Sequence, residues 1–164
     1  GENVTVTIDG VDDGQTHHYG DIYTFPVVPS KWNDTATVTF KYADDVTADT
    51  TSTVTKTYTP YGWEVDGTHY YDATITLTND IVLTPDYTFV VAPATFPEDP
   101  TRTHYGFDGW FDANNVQRTS YEELDDITLT AKWTGENVTV TIDGVDDGQT
   151  HQAKIGRASC RERV

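Results

Sequence analysis

Two stretches of the chain are versions of one pattern, so any fold must build that pattern twice. Residues 105–134 read YGFDGWFDANNVQRTSYEELDDITLTAKWT, and residues 61–88 read YGWEVDGTHYYDATITLTNDIVLTPDYT. Both open on Tyr-Gly with a Trp close behind, cross a polar Gly/Asn/Asp turn, and close on Asp-Ile-x-Leu-Thr followed by an aromatic residue and a Thr. The opening pairs lie 44 positions apart (Tyr61 to Tyr105) and the closing pairs 46 (Asp80 to Asp126), which predicts one small insertion between the copies. A longer repeat frames them. GENVTVTIDGVDDGQTH, residues 1–17, returns letter for letter at residues 135–151, a period of 134. Self-similarity at a fixed period is the signature of modules that fold and follow one another. The chain therefore reads as one full unit and the first strands of the next, a window on a longer array.

The local pattern is that of strands. Val4, Val6 and Ile8 alternate with Thr5, Thr7 and Asp9, which predicts a half-buried strand, and Asp9–Gly14 follows as a turn rich in Asp and Gly. Threonine, 30 residues of the chain, alternates with Val and Ile throughout. Thr24-Phe25-Pro26-Val27-Val28-Pro29-Ser30-Lys31 is echoed by Thr95-Phe96-Pro97-Glu98-Asp99-Pro100-Thr101-Arg102, and two prolines three apart stiffen the chain and stop a strand. Between the first of these corners and Tyr61 lie 27 extra residues, read as a hairpin of Thr37–Tyr42 and Thr53–Tyr58 joined by a mobile loop over Ala43–Ser52. Helix is scarce; Ser120-Tyr121-Glu122-Glu123-Leu124 has a capping-box opening that supports one turn or two. The expected organisation is a first β-module over 1–88 with an inserted hairpin at about 32–60, a second over 89–134, and the start of a further unit over 135–153. Another parsing makes 31–88 one insertion within a single domain.

After Ala153 the composition changes. Residues 154–164 hold the only cysteine, Cys160, and four of the ten basic residues, and the run 155–164 resembles the read-through translation of a sequencing-library adapter. Residues 154–164 are set apart from the fold as a non-native tail, as a tag would be. Without them the net charge of −17 becomes −20, because four basic residues and Glu162 go with the tail. That charge argues against binding nucleic acid, whose phosphates it repels, and suits a soluble, mutually repelling surface array. The loss of Cys160 excludes a disulfide framework, thiol catalysis and a Cys-ligated zinc site. No apolar run is long enough to span a bilayer. Modules of fewer than about 80 residues bury thin cores and lean on aromatic side chains, here four Trp, ten Tyr and six Phe.

Pro97, Pro100 and Arg102, then Tyr105, Phe107, Gly109, Trp110 and Phe111, and finally Leu129, Ala131 and Trp133 form a pattern that resembles the Listeria–Bacteroides repeat, or internalin B-repeat. The resemblance is close over 95–134, extends to the strands of 4–29, and is looser over 61–88, where Tyr87 stands in place of the closing Trp. It implies tandem small β-grasp-like (ubiquitin-like) modules, mainly β, in a secreted or wall-attached bacterial surface protein. It also implies a stalk or spacer role in adhesion, with no catalytic residues.

Read from the residues themselves, binding and metal sites are few. Asp9, Asp12 and Asp13 place three carboxylates and two glycines in one loop and could offer oxygen ligands to calcium, but the EF-hand spacing is absent and hairpin turns favour Asp and Gly in any case. His17 and His18 are neighbours on a strand and face opposite sides; His69 and His104 stand alone. Carboxylates are scattered over turns as solvated faces, and no Thr has a recognisable base beside it, so neither an enzyme nor a cofactor is expected. The aromatic residues Tyr61, Trp63, Tyr70 and Tyr71 near one polar turn are the binding candidates, since stacked rings beside Asp or Asn grip sugars and peptide segments. The partners this implies are host glycans or matrix proteins, and neighbouring repeats of the same chain. Trp110 and Trp133 are expected in the core. Of Tyr70 and Tyr71 only one can be, because neighbours on a strand point to opposite faces.

Overall fold

A computed structural model describes residues 1–71 and 73–154, all β-strand, turn and extended chain, with no helix among them. Of residues 154–164 only Lys154 is described. The chain divides into two compact units that are not contiguous in sequence. The first takes Gly1–Asn33 and Lys56–Val90; the second takes Asp34–Thr55 and the chain from Val91 on. The hairpin read as an insertion into the first module thus supplies the opening strand of the second unit, and the division falls inside the long strands Thr50–Val65 and Ile81–Ala92 rather than at 88/89. The cause is the destination of the apolar face. Ala36, Val38 and Phe40 are buried with Trp110, Leu129 and Trp133, a core separate from that of Val4, Val6, Trp63 and Leu83.

Each unit closes in the same way. In the first, Val6–Ile8 pairs in parallel with Ile81–Leu83. In the second, Val38–Lys41 pairs in parallel with Ile127–Thr130. The Asp ahead of each closing strand accepts a backbone hydrogen bond from the partner: Thr5 N–H donates to Asp80 Oδ1 at 2.8 Å, and Thr37 N–H to Asp126 Oδ1 at 2.8 Å. A second strand carries the central tryptophan. Gly62 and Gly109 have φ of 132° and 130°, and Trp63 and Trp110, which follow them, are 1% and 3% exposed. A third feature is shared: the base after each proline pair lies over aromatic rings. Lys31 Nζ sits 4.1 Å from the Tyr58 ring centre and 5.6 Å from that of Tyr87, and Arg102 Cζ sits 4.0 Å from Tyr105 and 5.7 Å from Trp133.

These equivalences correct the sequence alignment. Tyr58, Gly62 and Trp63 correspond to Tyr105, Gly109 and Trp110, an offset of 47 rather than the 44 of the two Tyr-Gly pairs. The conformation required of glycine decides the matter. A Cβ on Gly62 would fall 2.3 Å from the Tyr70 carbonyl oxygen, and one on Gly109 would fall 2.5 Å from the Gln117 amide, whereas Gly106 has nothing within 4 Å. At Gly109 the pairing of Tyr105–Phe111 with Ile127–Gly135 slips by one residue at Asp108, a β-bulge.

The capping-box segment forms no helix because Tyr121 is needed inside. Its ring is 4% exposed and its hydroxyl donates to the Asp125 carbonyl at 2.7 Å, which commits Ser120–Leu124 to irregular chain. The loop after Lys41 is organised by a side chain: Asp44 accepts from the backbone N–H groups of Val46 and Thr47 and from the Thr47 hydroxyl. Both core tryptophans expected in the second unit are buried, and Trp133 Nε1 donates to the Tyr42 carbonyl at 2.8 Å.

The two central tryptophans differ in one bond. Trp63 Nε1 donates to the Pro26 carbonyl at 2.7 Å, while Trp110 Nε1 is buried with no partner. Replacing Trp63 by Phe is therefore expected to lower stability by about 1 kcal/mol more than replacing Trp110 by Phe, because only the first change strands an acceptor. Urea denaturation of both variants measures this; equal losses would refute it.

Four aspartates predict acid sensitivity. Asp112 is held below the usual carboxylate range by the Val116 N–H at 3.0 Å, with partial desolvation opposing and Arg118 and the Asn114 N–H assisting. Burial pushes Asp13 and Asp44 up, but the Gln15 N–H and His17 outweigh it at Asp13, and Thr47 and the Val46 N–H outweigh it at Asp44. Asp147 is held low by the Gln149 N–H and His151. A carboxyl group depressed in the fold contributes stability that is present above its unfolded pKa, about 3.9, and is lost as pH falls through the lower folded value. The urea midpoint should accordingly drop steeply below about pH 4. The Asp112→Asn variant should start lower and fall less over the same interval; an unchanged slope would disprove the role of Asp112.

Candidate binding face on the first unit

The Asp66-Gly67 turn, with φ of 48° and 80°, joins Trp63–Val65 to Thr68–Tyr70 in the two-residue hairpin that this dipeptide favours. The register pairs Trp63 with Tyr70, Glu64 with His69 and Val65 with Thr68. Strand alternation would put Tyr61 on the buried side with Trp63, but the positive φ of Gly62 between them breaks it. Trp63 enters the core and Tyr61 is left 42% exposed. On the partner strand Tyr70 turns inward onto Phe25, ring centres 5.0 Å apart, and Tyr71 turns outward, 57% exposed.

Of the four aromatic candidates, then, Trp63 and Tyr70 serve the core and Tyr61 and Tyr71 form a face. His69, which as a lone polar residue gave no signal, lies between them. Its ring centre is 4.4 Å from those of Tyr61 and Tyr71. The two tyrosine rings meet edge to face at 5.1 Å, and their hydroxyls are 2.5 Å apart. His69 Nε2 faces the Tyr61 carbonyl at 3.0 Å and must donate to it, since a carbonyl only accepts. Nδ1 is 3.0 Å from Asp86 Oδ2, close enough for an ion pair but off the line of a hydrogen bond. The clue available in sequence was the turn itself: once Asp66-Gly67 sets the register, His69 and Tyr71 fall on one side of the strand.

Tyr61 and Tyr71 border an open groove of about 560 Å³ that also draws on Pro26, Val28, Ser30 and Pro60. Val27 on its lining is 92% exposed, as is Trp32 two residues beyond Ser30. The second unit has a groove at the equivalent place, about 290 Å³, lined by Pro97, Asp108, Gly109, Gln117 and Thr119 among others. Trp110 pairs with Arg118 as Trp63 pairs with Tyr70, so Asp108, Gln117 and Thr119 occupy the positions of Tyr61, His69 and Tyr71. One fold is thus built with the aromatic trio and once more without it.

The other candidates are engaged in turns. Asp9 holds the first place of an Asp-Gly turn at φ 50°. Asp12 Oδ1 accepts the Gly14 N–H at 2.7 Å; Asp13 accepts the Gln15 N–H and contacts His17 Nε2 at 2.7 Å. Among the described residues no three His, Cys, Asp or Glu side chains come together as a metal site.

The hydrogen bond to Tyr61, then desolvation and the charge of Asp86, raise the Tyr71 phenol above its ordinary pKa of about 10. In an alkaline absorbance titration the component missing from Tyr71→Phe should ionise above that value and return toward it in Tyr61→Phe. A Tyr71 component at the ordinary value in the parent protein would disprove the coupling.

In comparisons with known proteins, no family model, no curated protein and no solved structure matches this chain.

Proposed function

We propose that this chain is a repeat unit of a bacterial surface protein, serving as an extracellular stalk or spacer in adhesion. The observation that carries the reading is architectural: one small β-unit is built twice from weakly similar sequence, and the opening hairpin of the first recurs letter for letter after the second. Chains that repeat a fold while varying its surface serve length and presentation, and the net charge of −17 keeps such copies apart in solution. The resemblance of residues 95–134 to the Listeria–Bacteroides repeat supports the same reading. On it the units are β-grasp-like modules and the setting is the secreted or cell-wall compartment.

A second reading, favoured by one observation, makes the first unit a binding module for glycan or matrix protein. Tyr61, His69 and Tyr71 are aromatic where the equivalent positions of the second unit are Asp108, Gln117 and Thr119, so the fold does not require those rings. Half-exposed tyrosines beside an apolar groove suit the flat face of a sugar ring or an extended peptide.

Binding of the whole chain to a panel of glycans and matrix proteins separates the two. The spacer reading expects no saturable binding at the highest concentration the protein tolerates. Saturable binding that Tyr71→Ala weakens at least about tenfold, or about 1.4 kcal/mol, in a variant with an unchanged urea midpoint would establish the binding module and displace the spacer.

A further inference from the structure

Tyr61 and Tyr71 meet through their hydroxyls. The Asp66-Gly67 turn lays Thr68–Tyr70 against the end of Thr50–Val65 with Tyr70 opposite Trp63, and the two tyrosines lie just beyond that pair, one on each arm. Their hydroxyl oxygens are 2.5 Å apart, and their rings cross at 82° with centres 5.1 Å apart. The hydroxyl-bearing edges of the rings are therefore turned toward one another. His69 packs on both rings at 4.4 Å and holds them in place, while both stay open to solvent, 42% and 57% exposed.

Other tyrosine hydroxyls are spent on different partners. That of Tyr42 meets the Thr50 hydroxyl, that of Tyr87 donates to the Pro29 carbonyl, and that of Tyr121 donates to the Asp125 carbonyl. The Tyr105 hydroxyl is buried. Tyr58 and Tyr87 approach ring to ring, but at 6.2 Å and with Lys31 over both.

We propose that Tyr61 and Tyr71 are a covalent cross-linking site, joined as dityrosine by a peroxidase-type one-electron oxidant that consumes hydrogen peroxide. Each phenol gives up one electron and its hydroxyl proton, leaving two phenoxyl radicals. A carbon–carbon bond forms between the ring carbons next to the two C–O carbons. The hydrogen on each of those carbons then moves to the oxygen, which restores both phenols. The pair loses two hydrogen atoms in all, and one peroxide is reduced to two waters. In the product the hydroxyls flank the new bond and share a hydrogen, so the contact already present in the native fold prefigures it. Two radicals held this close couple without having to diffuse together.

The bond would tie the strand that carries Trp63 to its hairpin partner, limiting the unfolded chain as a disulfide does. Residues 1–153 contain no cysteine that could do so. The second unit has Asp108 and Thr119 at the matching positions and lacks the pair, so the cross-link belongs to the first unit alone. The inference rests on neither reading of function, because it needs only the two rings and an oxidant.

The test treats the dilute full chain, with Cys160→Ser throughout, with horseradish peroxidase and one equivalent of hydrogen peroxide. The monomer should lose the mass of two hydrogen atoms, acquire dityrosine fluorescence, and yield on digestion a peptide linked between positions 61 and 71. Tyr61→Phe and Tyr71→Phe should each abolish all three signals. Tyr19→Phe, which removes a tyrosine 59% exposed, should leave them unchanged. The linked monomer should also unfold at a higher urea midpoint than the untreated protein. Fluorescence that persists in Tyr71→Phe, a link mapped to other tyrosines, coupling only between chains, or a urea midpoint that does not rise would overturn the proposal.

Discussion

Everything in each unit hangs on one parallel pairing between its opening strand and its closing strand. Thr5 and Asp80 stand 75 residues apart and Thr37 and Asp126 stand 89 apart, yet each pair is fixed by a carboxylate that accepts the partner's backbone N–H at 2.8 Å. The bond sets the register, and register decides which side of a strand is buried, since a slip of one residue turns the whole apolar set to solvent. With it in place, Val4, Val6, Ile81 and Leu83 meet under Trp63, and Ala36, Val38 and Leu129 meet under Trp110. The glycine before each tryptophan completes the design, because its positive φ and tight surroundings leave no room for a side chain. The proline corner then places a base over the aromatic residues of the neighbouring strands, Lys31 on Tyr58 and Tyr87, Arg102 on Tyr105 and Trp133.

The contrast between the grooves follows from what that framework leaves free. The hairpin that carries the tryptophan projects three side chains outward beside the proline corner, one just before the tryptophan and two on the partner strand, and the framework does not specify them. The second unit places Asp108, Gln117 and Thr119 there, with Asp108 bonded to the Thr134 hydroxyl at 2.6 Å; the first places Tyr61, His69 and Tyr71. Positions free to vary on a fixed scaffold are where recognition is added without disturbing the fold.

Much of the architecture was legible in the residues. Alternating Val and Thr announced the strands, the Asp-Ile-x-Leu echo marked the closing strand of each copy, and the burial of Trp110 and Trp133 followed from their place in a small core. What was hidden was long-range. Nothing in Thr37–Tyr42 tells that its apolar face meets Leu129 rather than Leu83, because Val-Thr alternation is the same whichever core receives it. The Tyr-Gly pairs gave a wrong offset because letter identity outweighed backbone need: Gly62 matches Gly109 in conformation, whereas Gly106 only looks like it. The capping box at Ser120 misled for a similar reason, since the local preference yielded to the burial of Tyr121. At the site, alternation correctly divided Tyr70 from Tyr71, but it placed Tyr61 with Trp63, and only the Gly62 backbone separates them.

The interleaving of the two units also imposes an order in time. During synthesis the first unit has its closing parallel pairing available once Leu83 has emerged, but the opening strand of the second, Asp34–Lys41, must wait for Leu129, 46 residues later. At ribosomal rates of about 5–20 residues per second that interval is roughly 2–9 s. Throughout it Val38 and Phe40, which end fully buried, have no closing strand to cover them. The chain thus carries a sticky edge through the middle of its own synthesis. The Asp, Thr and Lys residues that alternate with those apolar positions along 34–41 are the kind of polar gatekeepers that limit mispairing while it waits.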